Sequence, residues 1–234
     1  MSYITYKGRD SREFSLHISS SNPFDVAQPE ITTQSVPGRD GELVLTGNRY
    51  QNVIAAYQCF IKSNQIERDI RNIKSWILPN LGYDILFDSS DSDYFRYAYP
   101  TGKLAFIKRT SRLYEIEIEF SCKPFRYSFL GQKPIGINKT TTIYNPEKFA
   151  SKPYIKVYGS GNGTLNINQN GWNFKGIDGY IELDSELMNT FRGTASQNQK
   201  VQGNGYPQLL AGKSTISFSG GISKIELIPR WCTL

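Results

Sequence analysis

The only histidine in this 234-residue chain is His17, inside "FSLHISS", where it alternates like a strand residue. A hydrolytic triad needs an imidazole base hydrogen-bonded to its nucleophile, and no GxSxG-type segment exists to partner it. One imidazole also excludes an HExxH site or a histidine metal cluster. Asp88, Asp91 and Asp93 in "DSSDSD" suggest calcium, but the third loop position is Ser90 and the twelfth is Tyr99. An EF-hand requires oxygen ligands there and a late bidentate glutamate, so a polar loop between strands is the better reading. Glu115, Glu117 and Glu119 alternate with apolar residues and read as the solvated face of a strand. "GSGNGT", Gly159 to Thr164, has the glycines of a phosphate loop. It leads into a strand, with no helix N-terminus to hold an anion, and is expected to be a hairpin turn. Trp172 and Tyr180 could stack on a sugar ring, although aromatic residues of such a domain usually fill its core. No catalytic residue, metal ligand set or cofactor motif emerges, and the chain is not expected to be an enzyme.

Cys59, Cys122 and Cys232 lie far apart beside apolar neighbours, with no CxxC pair. They are expected to be buried free thiols in a protein assembled in a reducing compartment. The N-terminal stretch meets Lys7 and Arg9 before any apolar run, unlike a secretion signal. The run from Val53 to Ile61 is far shorter than the roughly 20 residues a membrane helix needs, so no membrane insertion is expected. Net charge is +6, and all of it arises after residue 125, from basic residues scattered singly. No stripe builds the footprint of sequence-specific nucleic-acid binding. A mildly basic surface facing an acidic partner fits better.

Positioning elements follow from periodicity. Ile66, Ile70, Ile73 and Ile77 recur at the 4-3-4 spacing of one helical face, with Asn64 as a capping-box-like start and Pro79-Asn80-Leu81-Gly82 as the stop. Trp76 at the edge of that stripe reads as core. "NVIAAYQCFI" before the helix is apolar on both faces and predicts a strand covered on both sides. "YDILFD", "YFRYAY", "KLAFIKR" and "LYEIEIEFSC" predict further strands. Alternation is lost across "CKPFRYSFLGQKPIG". Beyond it, short strands alternate with Gly-rich turns (Gly161-Asn162-Gly163, Asn170-Gly171, Asp178-Gly179, Gly220-Gly221) at the spacing of a β-sandwich. The chain is therefore expected to be mainly β with one α-helix. An N-terminal α+β domain over 1–127, a helix on a sheet, precedes a C-terminal β-sandwich over 128–234.

One stretch resists these plain readings. "SVPGRDGEL" sets two reversals back to back: Pro37-Gly38 suits the centre of a type II turn, and Asp40-Gly41 a second one. The order Gly-Arg-Asp excludes the Arg-Gly-Asp adhesion tripeptide. The flanks, Ile31 to Val36 and Leu43 to Thr46, read as strands. Leu43 and Leu45 point one way, and Val36 and Val44 the other. A hairpin apolar on both faces must be covered, by its own domain or by a neighbouring subunit. The Arg39-Asp40 pair is expected to fix its shape or register.

"SVPGRDGELVLTGNRYQNVIAAYQCFI" (residues 35–61) resembles the N-terminal domain of distal tail proteins from siphophages of Gram-positive bacteria. The resemblance continues through "IKSWILP", "CKPFRY" and the ending "YPQLLAGKSTISFSGGISKIELIPRW". It covers nearly the whole chain, with the Pro-Gly-Arg-Asp-Gly motif as its most specific part. It implies that the first domain closes a homo-hexameric ring, possibly stacked on another, through a belt-like hairpin. The interface candidates are then Val36, Pro37, Gly38, Arg39, Asp40, Gly41, Leu43 and Leu45. The second domain would be galectin-like and face outward. The implied role is a structural hub at the tail tip of the virion, joining the tail tube protein to the baseplate or to receptor-binding adhesion proteins. DNA would pass through its lumen without sequence-specific binding, and assembly would occur in the host cytoplasm. The alternative is a lectin-like module touching the host cell wall through Trp172 and Tyr180.

Overall fold

The computed structural model describes residues 2–79 and 82–234. The protein is mainly β with a single α-helix among the described residues. It divides into two compact units, Met1–Arg126 with Leu234, and Tyr127–Thr233.

The first unit begins with β1 (Ile4–Tyr6), β2 (Arg9–Asp10) and β3 (Leu16–Ser21). A hairpin follows, β4 (Pro29–Gln34) and β5 (Leu43–Tyr50), then β6 (Val53–Lys62) and helix α1 (Ile66–Ile77). β7 (Asp84–Asp88), β8 (Tyr94–Lys108) and β9 (Leu113–Cys122) complete it. The main sheet runs β2-β1-β7-β8-β9-β6-β3. Its inner face presents Ile4, Tyr6, Leu16, Ile61, Ile116, Ile118 and Phe120, and α1 lays Ile73, Trp76 and Ile77 on them in one cluster. The Trp76 indole N–H donates to the Tyr6 carbonyl at 2.9 Å, and its ring stacks on Phe14 at 4.6 Å. Helix and sheet are thus tied by a directed bond as well as by burial.

Three local expectations change. The N-cap of α1 is Gln65, with no side-chain cap bond, so Asn64 is not the cap; Ser63 Oγ accepts from the Gln65 N–H instead. Of the expected stop, Asn80 and Leu81 lie outside the described residues. β6 is covered on one face only: Val53, Ala55, Tyr57, Cys59 and Ile61 are buried, while Ile54 and Gln58 are exposed and Phe60 is half-buried. On its outer face Phe60 stacks on His17 from β3, 5.0 Å between centroids. Finally, "YFRYAY" and "KLAFIKR" form one strand, β8, whose pairing with β9 shifts between Pro100 and Leu104 around Gly102 at φ 90°.

The second unit starts with the end of β10 (Arg126–Ser128) and contains β11 (Ile135–Ile137), β12 (Thr141–Asn145) and β13 (Tyr154–Ile167). β14 (Asn170–Asp184), β15 (Asn189–Arg192), β16 (Ala195–Ser196), β17 (Val201–Gly203), β18 (Gly212–Ile228) and β19 (Cys232–Thr233) follow. Three strands are far longer than expected, at 14, 15 and 17 residues. Three of the glycine clusters read as turns lie in mid-strand, while Asn170-Gly171 opens β14 directly after a turn at Asn168-Gln169. Gly159 to Gly163 in β13 pair with β14 on one side and β18 on the other, so "GSGNGT" is not a hairpin turn. Asp178-Gly179 and Gly220-Gly221 likewise sit inside β14 and β18.

The glycines are there because backbones crowd. A Cβ on Gly159 would stand 2.1 Å from the Gly221 carbonyl oxygen, and one on Gly221 would stand 1.8 Å from that of Ser160. The inward positions also change parity along a strand. Trp172 and Phe174 give way to Ile177, Ile181 and Leu183 in β14, as a bulge requires. Both ends of each long strand feed one core, which holds Ile155 with Leu165 from β13 and Ile216 with Leu227 from β18. One continuous sheet, creased at its glycines, supplies both walls around that core.

Candidate functional site

The hairpin β4–β5 is a two-stranded sheet of its own, paired with neither large sheet. Cross-strand register puts Ile31 opposite Thr46, Thr32 opposite Leu45, Thr33 opposite Val44 and Gln34 opposite Leu43. Opposed residues share a face, so Ile31 and Val44 lie on one side and Leu43 and Leu45 on the other. Ile31 is 50% exposed, Val44 55% and Leu45 48%; every β4 residue is exposed, and Leu43 is half-buried. An isolated two-stranded ribbon is marginal in water. Each such side chain gains about 1.5–3 kcal/mol when fully covered. The hairpin therefore carries unspent burial on both faces.

Its tip follows the sequence. The Arg39 N–H donates to the Val36 carbonyl at 3.2 Å, and Gly38 at φ 78° takes the third position of a type II turn behind Pro37. Gly41 at φ 80° makes the second reversal. Arg39 and Asp40 are exposed, and no ion pair joins them among the described residues. Shape at the tip belongs to the glycines and the proline.

The root is held by residues that carried no sequence signal. Arg96, in β8, is buried, and its Nη2 donates to the carbonyls of Asp25 at 2.6 Å and Pro23 at 3.4 Å. Asn22 Nδ2 donates to the Ile54 carbonyl, and Asn22 Oδ1 accepts from the Ala56 N–H at 2.8 Å. The Gln51 N–H donates to the Gln28 carbonyl at 2.9 Å where the chain leaves the hairpin. Burial pulls the Arg96 pKa down, yet a guanidinium this basic stays charged and keeps donating. A buried arginine on an otherwise alternating strand is the one mark that could have flagged this anchor.

The other sequence candidates fall elsewhere. Trp172 is 4% exposed; its indole N–H donates to the Gly205 carbonyl at 2.8 Å, and its ring belongs to the core of the second unit. Tyr180 is half-buried, with Lys156 Nζ 4.0 Å above its ring and the Arg192 guanidinium at 5.4 Å. Cations therefore occupy the surface a sugar would use, and the two rings do not form an exposed platform. Asp88 is buried and caps its own turn by accepting from the Ser90 N–H, while Asp91 pairs with Arg126 at 2.9 Å. Glu115 pairs with Arg109 at 2.6 Å, and that bond holds its carboxyl below the usual range. Among the described residues no three acidic, His or Cys side chains gather as a metal site, and no helix is long and apolar enough to cross a membrane.

No protein-family model matches the chain, and no curated protein matches it in sequence. Its fold does have a solved counterpart. The chain is similar to SPP1 Dit (gp 19.1), described as a paradigm of the hub adsorption apparatus in phages that infect Gram-positive bacteria. The TM-score is 0.76, and the likeness covers 100% of both chains. At 11% identity, what the two share is the fold.

Proposed function

We propose that the chain is a structural phage tail protein of the distal tail type, a ring-forming hub with no catalytic chemistry. The observation that carries this reading is the detached hairpin, apolar on both faces and fixed at its root by Arg96. The full-length likeness in fold to a hub protein supports it. In this proposal each hairpin, from Val36 to Leu45, lies on a neighbouring copy, and six copies close a ring. The ring joins the tail tube to the adhesion device or baseplate of the virion, with the second unit as the docking domain and DNA passing through the lumen. The hub is assembled in the host cytoplasm.

Native mass spectrometry and light scattering of the full chain test this. A hexamer, or a stack of hexamers, is expected. Arg39→Ala and Gly38→Val should weaken assembly while leaving circular dichroism unchanged. A strict monomer at high protein concentration, or full assembly of both variants, would overturn it.

A further inference from the structure

A small polar chamber lies in the first unit beside Pro23, at the root of the hairpin. Its volume is about 20 Å³, and Ala55, Leu86 and Phe95 line it together with Asp88, Arg96 and Arg126. Asp88 and Arg96 are each 7% exposed, and the Arg126 side chain is 16% exposed. Each of these three charged groups is held by one part and open at another. Asp88 Oδ1 accepts from the Ser90 N–H at 2.8 Å, and Arg96 Nη2 donates to the Asp25 carbonyl. Arg126 Nη1 pairs with Asp91 at 2.9 Å, and its Nη2 donates to the Leu234 carbonyl at 2.7 Å. The atoms left over are Asp88 Oδ2, Arg96 Nη1 and Arg126 Nε, all buried and none with a hydrogen-bond partner within the chain. Buried polar atoms are nearly always paired, so three orphans around one cavity call for a shared partner.

We propose that the chamber binds a single structural water that joins these three atoms. The water donates an O–H to Asp88 Oδ2 and accepts from Arg96 Nη1 and Arg126 Nε. That makes three hydrogen bonds, the usual number for a buried water. The cavity is larger than the roughly 10–15 Å³ that one water requires. A molecule bonded on three sides in so tight a space leaves its partners almost no free surface, which agrees with the burial of all three atoms.

Other occupants fail on size or on sign. Small-molecule sites measure roughly 300–1,000 Å³, far more than this chamber holds. A cation would meet two guanidinium groups, and a halide would meet the Asp88 carboxylate. Water alone answers two donors and one acceptor together. It also turns the Arg96 anchor into a joint. The Asp25 carbonyl is linked through Arg96 and the water to Asp88 at the end of β7 and to Arg126 in β10. This stiffening of the hairpin root holds whether or not the hairpin meets a neighbouring copy.

A high-resolution crystal structure of the full chain, native and after a sodium bromide soak, tests the occupant. One oxygen peak within hydrogen-bond distance of all three atoms is expected, without anomalous bromine signal. A bromine peak there, a cavity without density, or Asp88 Oδ2 bonded directly to either arginine would each overturn the proposal. In solution, oxygen-17 relaxation dispersion counts long-lived waters. Ala55→Val adds two carbons to the cavity wall and should lower that count by one. Exchange of the Gln51 amide, which bonds Gln28 at the root, should then quicken about tenfold, on the scale of one hydrogen bond. An unchanged count would remove the water, and unchanged exchange would remove its role as a joint.

Discussion

The Arg230 guanidinium grips the Asp184 carboxylate at two points, 2.8 and 2.9 Å, while Arg230 itself holds φ 56°. Asp184 also accepts from the N–H groups of Glu186 and Leu187. Burial pushes its pKa up, but the Arg230 bond and these N–H donors outweigh burial, and the carboxyl ends below its ordinary 3.8. A depressed folded value means stability that is complete above the ordinary value and lost as pH falls through the folded one. Asp184→Asn is expected to destabilise the protein by about 2 kcal/mol at pH 7, because the half-buried Arg230 loses its two-point charged bond and keeps the longer pairing with Glu186 at 3.9 Å. Urea midpoints of both proteins should converge on acidification. A gap that stays constant with pH would contradict the ion pair's role.

The crease in the second unit depends on missing side chains. Gly221→Ala drives a Cβ into the Ser160 carbonyl, whereas Gly193, at φ 60°, has nothing within 4 Å of the same atom. Gly221→Ala should cost about 3 kcal/mol as overpacking against backbone. Gly193→Ala should cost about 1 kcal/mol from strain alone. Equal losses in chemical denaturation would mean that conformation, not crowding, selects these glycines.

In the first unit, Trp76→Phe keeps an aromatic ring against Phe14 but leaves the Tyr6 carbonyl without its donor. A loss of about 1–3 kcal/mol is expected, the cost of an unsatisfied buried acceptor. A neutral result in thermal unfolding would show that water replaces the indole.

Burial pushes the Cys59 and Cys232 thiols up to about 12 and Cys122 to about 11. All three are therefore protonated at neutral pH and shielded. Thiol reagents should label the native protein slowly and should label three groups at once on denaturation. Rapid labelling of native protein would show that one of these sites opens.

Val44→Glu combined with Leu45→Glu should leave unfolding free energy within about 0.5 kcal/mol, since both side chains already face water. The same change should reduce oligomer mass in light scattering. A large stability loss in the separated monomer would place the hairpin against its own unit.

Legibility differed between the units for a physical reason. The helix face from Ile66 to Ile77 and the alternation of "LYEIEIEFSC" repeat at the period of their elements, so each residue reports its own orientation. The double turn of "SVPGRDGEL" was equally plain because proline and glycine act locally. Gly159 and Gly221 misled because glycine permits two outcomes, a reversal or a close crossing, and only the partner strand decides which; Gly179 misled because its φ of 79° sits inside a strand. Arg96 left no trace, since its partners are carbonyls of another segment, met only through the fold.

The creased sheet also constrains how the second unit forms. β13, β14 and β18 each run through both walls, so neither wall is a separable piece that could form first and wait for the other. β13 meets β18 across a long span of chain, and such distant pairing carries a large loop-closure entropy before any contact rewards it. This half of the molecule should therefore fold slowly and in one step, with no half-built sandwich on the way.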